Sequence, residues 1–432
     1  MGHVKDLKTG IKYKNTPIGK IPVDWEVVRL EDICEEIYRY PTYYNIKYVE
    51  QDGIPEVRGE LIKINGELSN DPSEYRYISK ETSANFPRTI LHEGDFVLSV
   101  RGTMGKIGYI SSRLENANMT ANLMRISPDR NKVYPLWLKQ FLLSDFFQKR
   151  LEEASSATTI KTIKAPELKA IELPLPLLSE QKKMAEILTT VDEAIEKTDQ
   201  IIEKTKETKK GLMQRVLTCG IGHKKFKNTG IGEIPAEWEV VRLDDVGKLK
   251  GGTGFPERYQ GNNELKYLFI KVSDMNLKGN EVYIKTSKNT INEEIKNIIK
   301  CDIFPKNTII FAKVGAALLL NRRRILARES AIDNNMVGFI IGDRNDPKFY
   351  YYILQTIDFA KYVFSGALPS VNQKVLGDIC VVSPPLTEQK QIAEILSSVD
   401  EEIEKESDHK EQLELLKKGL MQVLLTGKIR VL

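Results

Sequence analysis

Two long stretches of the chain carry apolar residues at alternating steps of four and three positions. This spacing places the side chains along one face of an α-helix, and it is the heptad pattern of helices that pair. We therefore predict helices over residues 178–219 and 386–427, each roughly 60 Å long at about 1.5 Å per residue. The apolar positions of the two seams are Met184, Leu188, Val191, Ile195, Ile202 and Leu212, and Ile392, Leu396, Val399, Ile403, Leu413 and Leu420.

A helix of this length cannot bury its apolar face by itself. Either each helix packs against its own globular domain, or the two helices pair with each other, antiparallel, as a spacer. The matched length and heptad phase of the two stretches favour the antiparallel pair.

The remaining sequence mixes short apolar runs with turn residues. Residues 94–100 (GDFVLSV) and 307–314 (NTIIFAKV) have the pattern of strands, whereas 134–151 and 347–364 carry apolar residues at helical spacing. We therefore expect two α+β domains. The predicted domains span residues 1–177 and 220–385.

The chain contains two copies of one unit. "IPVDWEVVRLEDI", which includes Trp25, returns as "IPAEWEVVRLDDV", which includes Trp238, at an offset of 213 (238 − 25). "SEQKKMAEIL" from Ser179 returns as "TEQKQIAEIL" from Thr387, at an offset of 208 (387 − 179). This period is too long for a solenoid and indicates a duplicated domain. We expect an internal pseudo-twofold repeat, in which each tryptophan packs among apolar neighbours where its domain begins.

Composition narrows the class of protein. The 64 Lys and Arg residues against 60 Asp and Glu give a net charge of +4, which permits nucleic-acid binding without requiring it. No apolar run approaches the roughly 18 residues of a membrane helix, and the N-terminus is too polar for a signal peptide. The four cysteines lie far apart in the sequence. We therefore expect no zinc site, no disulfide framework and a cytoplasmic setting.

Strings that resemble catalytic motifs are incomplete. "SPPL" from Ser383 resembles the Asn/Asp/Ser-Pro-Pro-aromatic loop of amino-methyltransferases, but Leu386 replaces the aromatic residue and no glycine-rich loop for a methyl donor accompanies it. The four histidines form no pair. We expect neither catalytic residues nor metal ligands.

Basic and aromatic residues occur on predicted loops in the parts of the two copies that differ. Arg58 and Lys271 occupy equivalent positions, at an offset of 213 (271 − 58). Arginine and lysine neutralise phosphates, and arginine can bind guanine bidentately, although charged runs are also common on solvated surfaces. The candidate DNA-binding residues are Tyr43, Tyr44, Arg58, Arg101, Thr103, Lys106, Thr253, Arg258, Lys271, Lys313, Arg322, Arg323 and Arg324.

The distribution of differences between the copies is informative. Their flanking blocks are nearly identical, while the middles differ strongly. This pattern indicates shared docking ends and two distinct recognition surfaces. Paired domains on a spacer of fixed length would face two sites on a DNA duplex at a fixed separation.

The repeated strings "GxIPxxWEVVRLxD", "PxxxEQxxxAEIL" and "GLMQxxLT" flank a variable domain twice and closely resemble the specificity subunit of type I restriction-modification systems. The resemblance implies two target recognition domains joined by two antiparallel helices, with each domain recognising half of a split DNA sequence. It also implies that the helices set the gap and bind two modification (methyltransferase) subunits. Restriction subunits would join that complex and cut DNA using ATP, so no cofactor is expected on this chain.

Two alternatives stay open at this point. The chain could be the recognition subunit of a type IIB-like system, in which methylation and cleavage are fused in the partner. It could also be a scaffold that uses the paired helices to join two proteins without contacting DNA.

Overall fold

The computed structural model describes residues 12–39, 46–101, 103–155, 162–363 and 369–431. The chain divides into two compact units: unit 1 comprises residues 1–198 and 409–432, and unit 2 comprises residues 199–408. Each unit holds one globular domain and a segment of each of two long helices, Leu178–Cys219 and Leu386–Leu424.

Unit 1 contains eleven strands within its described residues. They are β1 (Tyr13–Thr16), β2 (Gly19–Pro22), β3 (Glu26–Arg29), β4 (Cys34–Tyr38), β5 (Ile54–Val57), β6 (Arg76–Ile78), β7 (Phe96–Ser99), β8 (Ile107–Tyr109), β9 (Asn118–Met119), β10 (Leu123–Pro128) and β11 (Glu172–Leu175). Its helices are α1 (Lys80–Asn85), α2 (Pro135–Leu143), α3 (Asp145–Glu153), α4 (Ala165–Lys169) and the first half of α5 (Leu178–Cys219). Short 3-10 helices span Leu30–Ile33, Gly59–Leu61, Pro72–Glu74, Pro87–Thr89 and Ser112–Leu114.

Two sheets organise the domain of unit 1. An antiparallel sheet has the order β4-β10-β7-β8, and a three-stranded sheet has the order β6-β5-β9, with β5 and β9 parallel. β1 pairs with β2, and β3 pairs with β11. The central strands β7 and β10 are buried along their whole length. β10 also buries two polar residues, Arg125 and Ser127, whose side chains both donate to Asp95.

Unit 2 contains twelve strands within its described residues. They are β12 (Phe226–Thr229), β13 (Gly232–Pro235), β14 (Glu239–Arg242), β15 (Gly247–Gly251), β16 (Tyr267–Ile270), β17 (Tyr283–Ile284), β18 (Thr290–Ile291), β19 (Ile309–Ala312), β20 (Arg323–Leu326), β21 (Ser330–Ile332), β22 (Met336–Ile341) and β23 (Cys380–Ser383). Its helices are the second half of α5, then α6 (Leu243–Val246), α7 (Glu293–Ile299), α8 (Gly315–Leu319), α9 (Pro347–Thr356), α10 (Gln373–Gly377) and the first half of α11 (Leu386–Leu424). Short 3-10 helices span Glu257–Tyr259, Val272–Asn276 and Phe359–Tyr362.

The sheets of unit 2 repeat the framework of unit 1. The larger sheet has the order β15-β22-β19-β20-β17, and the smaller one has the order β18-β16-β21, with β16 and β21 parallel. β12 pairs with β13, and β14 pairs with β23. β5 begins at Ile54 and β16 at Tyr267, which keeps the offset of 213 inside the domains (267 − 54). Two divergent sequences thus build one strand framework.

In each unit, the repeated tryptophan contacts the repeated Glu-Gln pair at the N-terminus of a long helix. This helix is α5 in unit 1 and α11 in unit 2. In unit 1, Trp25 is fully buried and its indole nitrogen donates to Glu180 Oε2 at 2.9 Å. In unit 2, Trp238 donates to Glu388 Oε2 at the same distance. The expected burial of both tryptophans is confirmed, and each also has a polar partner, as a buried indole usually does.

The glutamine of each repeated Glu-Gln pair forms hydrogen bonds with the backbone. Gln181 accepts from the backbone nitrogen of Tyr134 at 2.7 Å, and its amide donates to the carbonyl of Pro176 at 2.9 Å. Gln389 accepts from the nitrogen of Asp346 at 2.8 Å and donates to Pro384 at 2.9 Å. Each buried glutamine therefore joins the N-terminus of a long helix to the start of a domain helix, because its amide has both a donor and an acceptor.

In unit 1, the segments of α5 and α11 lie side by side and antiparallel. Glu180 accepts from Arg430 at 2.5 Å, and twelve residues further along α5, Asp192 pairs with Lys417 at 2.6 Å. The partner number falls as the α5 number rises, which defines the antiparallel direction. Apolar residues from both segments share the core of the unit: Met184, Ala185, Leu188, Leu424 and Leu425 are buried, and Leu420 packs against them.

In unit 2, the helix segments also run antiparallel. Lys209 pairs with Asp400 at 2.6 Å, and beyond the end of α5 the backbone nitrogen of Ile221 donates to Glu388 at 3.0 Å. The core of this unit contains Val216, Leu217, Ile392, Ala393 and Leu396, with Leu212 packed against it. Of the other predicted seam positions, Ile202 is buried, and Val191, Ile195, Val399, Ile403 and Leu413 are half-buried.

Two predicted domain helices are shorter than expected. The stretch 134–151 forms α2 and α3, separated at Ser144, which has an extended backbone and accepts from the nitrogen of Phe147 as the N-cap of α3. The stretch 347–364 ends its α-helix at Thr356, and Asp358 caps a short 3-10 helix instead. In both cases a side chain accepts a hydrogen bond from a backbone nitrogen and caps a new helix. The apolar pattern of the sequence continues across this point and gives no sign of the break.

Candidate nucleic-acid interface

Four of the sequence-predicted residues of unit 1 line one cleft of about 370 Å³: Arg58, Arg101, Thr103 and Lys106. Arg58 follows β5, and the loop with the other three follows β7. β5 is parallel to β9, so the two strands end at the same edge of their sheet. The other residues lining the cleft are Tyr48, Glu56, Gly59, Glu60, Arg76, Ser99, Thr120 and Asn122.

Internal hydrogen bonds hold the loop after β7 in place. The hydroxyl of Ser99 donates to the carbonyl of Thr103 at 2.6 Å and accepts from the backbone nitrogen of Lys106 at 2.9 Å. The same loop exposes Arg101 and Thr103. The side chain of Ser99 thus bridges the two ends of this short loop. The loop exposes the guanidinium of Arg101 and the hydroxyl of Thr103 at the edge of the sheet.

Arg58 is more constrained than its position on a loop suggested. Its guanidinium binds Glu60 at 2.5 Å and the carbonyl of Glu74 at 2.7 Å, and its side chain is only 16% exposed. Its Nε atom has no hydrogen-bond partner among the described residues. The side chain is thus held in one orientation and keeps one donor unused.

The cleft carries a surplus of positive charge. Arg58, Arg76, Arg101 and Lys106 line it against the two carboxylates of Glu56 and Glu60. Glu56 is buried, and this burial raises its pKa. This distribution suits a polyanion better than a cationic ligand.

Arg39 is a further basic residue of this domain, although it was not among the sequence-predicted candidates. Burial and the charge of Arg101, a residue of the cleft, lower the pKa of Arg39. Arg39 follows β4 directly, within the string "YRYPTYY" from which Tyr43 and Tyr44 were selected as candidates. Those two tyrosines lie outside the described residues.

In unit 2, the equivalent strand edge brings Thr253, Lys271 and Lys313 together. Thr253 forms a bridge with Asp333, and the nitrogen of Asp333 donates at 2.9 Å to the carbonyl of Ile270, the residue before Lys271. Lys313 follows β19, whose C-terminal end lies at the same sheet edge as that of β15. The three candidates are thus gathered on one edge by strand pairing rather than by proximity in sequence.

Glycine allows the close backbone approach that this edge requires. A Cβ atom on Gly252 would lie 2.2 Å from the carbonyl oxygens of Ile332 and Asp333. A Cβ on Gly251 would lie 2.9 Å from the side-chain nitrogen of Gln373. The string "GGTG" therefore has a packing reason, because a larger residue at position 252 would push Thr253 away from Asp333.

Aromatic and amide contacts hold the residues around this edge, which include the candidates Arg258 and Lys271. Phe255 stacks on Phe269 with the ring centroids 3.8 Å apart, so it anchors the loop from inside. Arg258 is exposed and lies over the ring of Tyr259 at 4.8 Å. Lys271 donates to the side-chain oxygen of Gln260 at 3.0 Å.

The arginine run of unit 2 has a different location. Arg322, Arg323 and Arg324 line a cleft of about 750 Å³ whose other walls include residues of the α5 and α11 segments of the same unit. Arg323 is 1% exposed, its guanidinium lies 3.9 Å from the centre of the Phe359 ring, and desolvation lowers its pKa to about 10. Arg323 is therefore buried in the wall of the cleft rather than exposed on the surface, which contradicts the prediction that it contacts DNA.

Some edge residues were missed by sequence reasoning but could have been found from the repeat. The turn after β9 reads Thr120-Ala121-Asn122, and the turn after β21 reads Asp333-Asn334-Asn335, again at an offset of 213. The carbonyl of Asn122 accepts from Val100 at 3.0 Å, and that of Asn335 accepts from Lys313 at 2.9 Å. The repeat does not mark Arg76 or Tyr48 in the same way, so the sequence alone did not identify them.

The described ranges contain no group of three or more His, Cys, Asp or Glu residues that could hold a metal ion. Among the same residues, no helix has the length and apolar content needed to cross a membrane.

Comparison with known proteins decides the family. The model of the type I restriction modification DNA specificity domain matches the chain twice, at residues 22–207 and 235–415. This chain belongs to the type I restriction-modification specificity subunits. It is a DNA sequence-specificity subunit, and the interface described above is where its candidate recognition residues lie.

Individual relatives agree with the family assignment. The specificity subunit resembles a putative type I restriction enzyme MjaX specificity subunit of Methanocaldococcus jannaschii, at 32% identity over 97% of each chain. It also resembles the MjaVIII specificity subunit of the same organism, at 30% identity over 95% of this chain and 94% of that one.

Two solved structures share the fold. The type I S subunit from M. genitalium aligns over 98% of both chains with a TM-score of 0.57 at 14% identity. A chain from a study of complex assembly and conformational transition of the type I R-M system aligns over 95% of this chain and 99% of that one, with a TM-score of 0.54 at 17% identity. The predicted fold class, two α+β domains joined by two long antiparallel helices, is confirmed.

Proposed function

We propose that this specificity subunit recognises a bipartite DNA target, with one half recognised by the domain at residues 1–177 and the other by the domain at residues 220–385. One observation carries the proposal. The same strand edge is built in both units, but its side chains differ: Arg58, Arg101, Thr103 and Lys106 in unit 1, and Thr253, Lys271 and Lys313 in unit 2. A shared framework with different polar residues is what two half-sites of different sequence require.

The side chains at each edge suggest which contacts supply affinity and which supply sequence specificity. Lysine and arginine at the rim would neutralise phosphates and supply most of the salt-dependent affinity. An oriented arginine can contact O6 and N7 of guanine, and asparagine or glutamine can contact N6 and N7 of adenine. Arg58 and Asn122 in unit 1, and Gln260 and Gln373 in unit 2, are the side chains we assign to base contacts.

We further propose that the paired helices, at residues 178–219 and 386–427, set the gap between the half-sites and dock two modification subunits. Restriction subunits would join that complex. Methyl transfer and ATP-dependent cleavage would take place on those partners, so this subunit would be non-catalytic and carry no cofactor of its own. Its DNA target would place it in the cytoplasm.

An enrichment experiment tests the proposal. Duplexes with a random central region would be selected by the specificity subunit, alone and together with its modification subunit, and then sequenced. A split motif with a constant gap is expected. Absence of any enriched motif in both settings would reject DNA recognition and favour a protein scaffold, whereas a motif obtained with a fused methylase-nuclease partner would indicate a type IIB-like system.

A further inference from the structure

The cleft that contains Arg322, Arg323 and Arg324 lies within unit 2, and Thr253, Lys271 and Lys313 are not among its lining residues; we call it the arginine cleft. Its volume is about 750 Å³, within the range of pockets that hold small-molecule ligands. β20 and the turn before it supply the arginines, and the two helix segments of the unit supply the opposite wall. Tyr283 and Ile403 add an apolar surface.

The charges in the arginine cleft do not balance. Seven cationic side chains line it against four acidic ones. Two of the acids already have partners, because Asp400 binds Lys209 at 2.6 Å and Glu404 binds Lys285 at 2.5 Å. Among the described residues, none of the three arginines has a carboxylate within ion-pairing distance. The surplus positive charge is therefore concentrated on the arginine run.

Arg323 has unused donors in a place where water cannot easily satisfy them. One of its terminal nitrogens donates to the carbonyl of Ile357 at 2.7 Å, but Nε and the other terminal nitrogen have no partner among the described residues. Within the same part of the chain, Nε of Arg324 is also buried without a partner. Buried donors are nearly always paired, and a buried guanidinium normally faces an anion, so this arrangement lacks an acceptor.

We propose that the arginine cleft binds a small phosphate-containing anion, whose oxygens accept from Arg323 and Arg324. A phosphate suits this site because it offers several acceptor oxygens to a planar guanidinium group. The size of the cleft and its Tyr283 wall leave space for an organic group attached to the phosphate. Binding would join β20 to the helix segments of unit 2, and the site would act in addition to DNA recognition.

Titration calorimetry on the full chain with inorganic pyrophosphate tests the proposal, with sodium chloride of equal ionic strength as the reference. We expect saturable binding of one pyrophosphate per chain, and a loss of affinity of at least tenfold for Arg324→Gln and for Arg323→Gln. Arg328→Gln is the matched control, because Arg328 lies beyond the other end of β20, is exposed and does not line the cleft. Its affinity should equal that of the unaltered chain.

Several outcomes would overturn the assignment. Absence of saturable binding to the unaltered chain, or an equal loss of affinity in Arg328→Gln, would mean that no specific site exists. Displacement of pyrophosphate by a non-specific DNA duplex would assign the site to backbone phosphate rather than to a free small molecule. Arg323→Gln also removes the contact with Phe359, so if that variant does not fold, Arg324→Gln decides the question.

Discussion

The ion pair between Lys209 and Asp400 offers a quantitative test of how the helix segments of unit 2 hold their register. The two side chains are 15% and 11% exposed and their charged atoms lie 2.6 Å apart. Asp400 also accepts from the hydroxyl of Tyr352 at 2.7 Å, which links the helix pair to the domain. Unit 1 repeats the arrangement with Lys417 and Asp192 at 2.6 Å.

The expected magnitude follows from this geometry. Two unit charges 2.6 Å apart attract by about 6 kcal/mol at an effective dielectric constant of ~20. Partial burial of both groups offsets most of this attraction, and hydrogen bonds to charged groups contribute about 1.5–3 kcal/mol net. We therefore expect Lys209 and Asp400 to be coupled by roughly 2 kcal/mol.

A double-mutant cycle measures the coupling directly. Lys209→Met, Asp400→Asn and the double variant would be unfolded in urea, and the coupling free energy taken from the four free energies of unfolding. Lys206→Met is the matched control, since Lys206 lies on the same helix in an exposed pair with Glu203 and should cost less than about 0.5 kcal/mol. A coupling below about 0.5 kcal/mol for Lys209 and Asp400 would refute the idea that this pair fixes the register.

Three further predictions concern the domains. Trp25→Phe should destabilise the chain by about 1.5–3 kcal/mol more than Trp137→Phe, because both tryptophans are buried but, among the residues that the structure describes, only the first has an indole hydrogen bond. Equal losses in denaturation would contradict this. Gly252→Ala should lower the free energy of unfolding by about 1–3 kcal/mol, since its Cβ would lie 2.2 Å from backbone oxygens, and unchanged stability would show that the edge can relax. Arg58→Gln should weaken DNA binding by about 1–3 kcal/mol and relax only one half-site in enrichment experiments, whereas Lys271→Gln should weaken binding to all sequences about equally; relaxation of both half-sites by Arg58→Gln would count against separate recognition.

The parts of the fold that can be predicted well from the sequence are those with a periodic or repeated pattern of residues. The heptad seams locate α5 and α11, and the doubled "WEVVRL" and "EQ" strings identify the residues that meet at each helix entry. Their contacts are not visible in sequence, because Trp25 and Glu180 are 155 positions apart and only the folded chain brings them together. The break at Ser144 was missed because a single capping serine interrupts an otherwise continuous apolar pattern.

The candidate site was predictable only in part. Arg58 and Lys271 were found because the offset of 213 links them, and the same offset would have found Asn122 and Asn335. Arg323 was predicted to contact DNA because a run of arginines is typical of an exposed surface, but its side chain is buried. Its guanidinium lies against the ring of Phe359, which is 36 positions later in the sequence. Long-range packing of this kind leaves no local signal.

Exchange of one recognition domain tests the central claim most directly. Residues 40–165 would be replaced by the equivalent segment of a related specificity subunit, and the chimera would be assembled with its modification subunit for selection from random duplexes. We predict that one half-site changes while the other half-site and the gap stay the same. A change in both half-sites, or in the gap, would contradict the account of two domains that recognise DNA independently on a helical spacer.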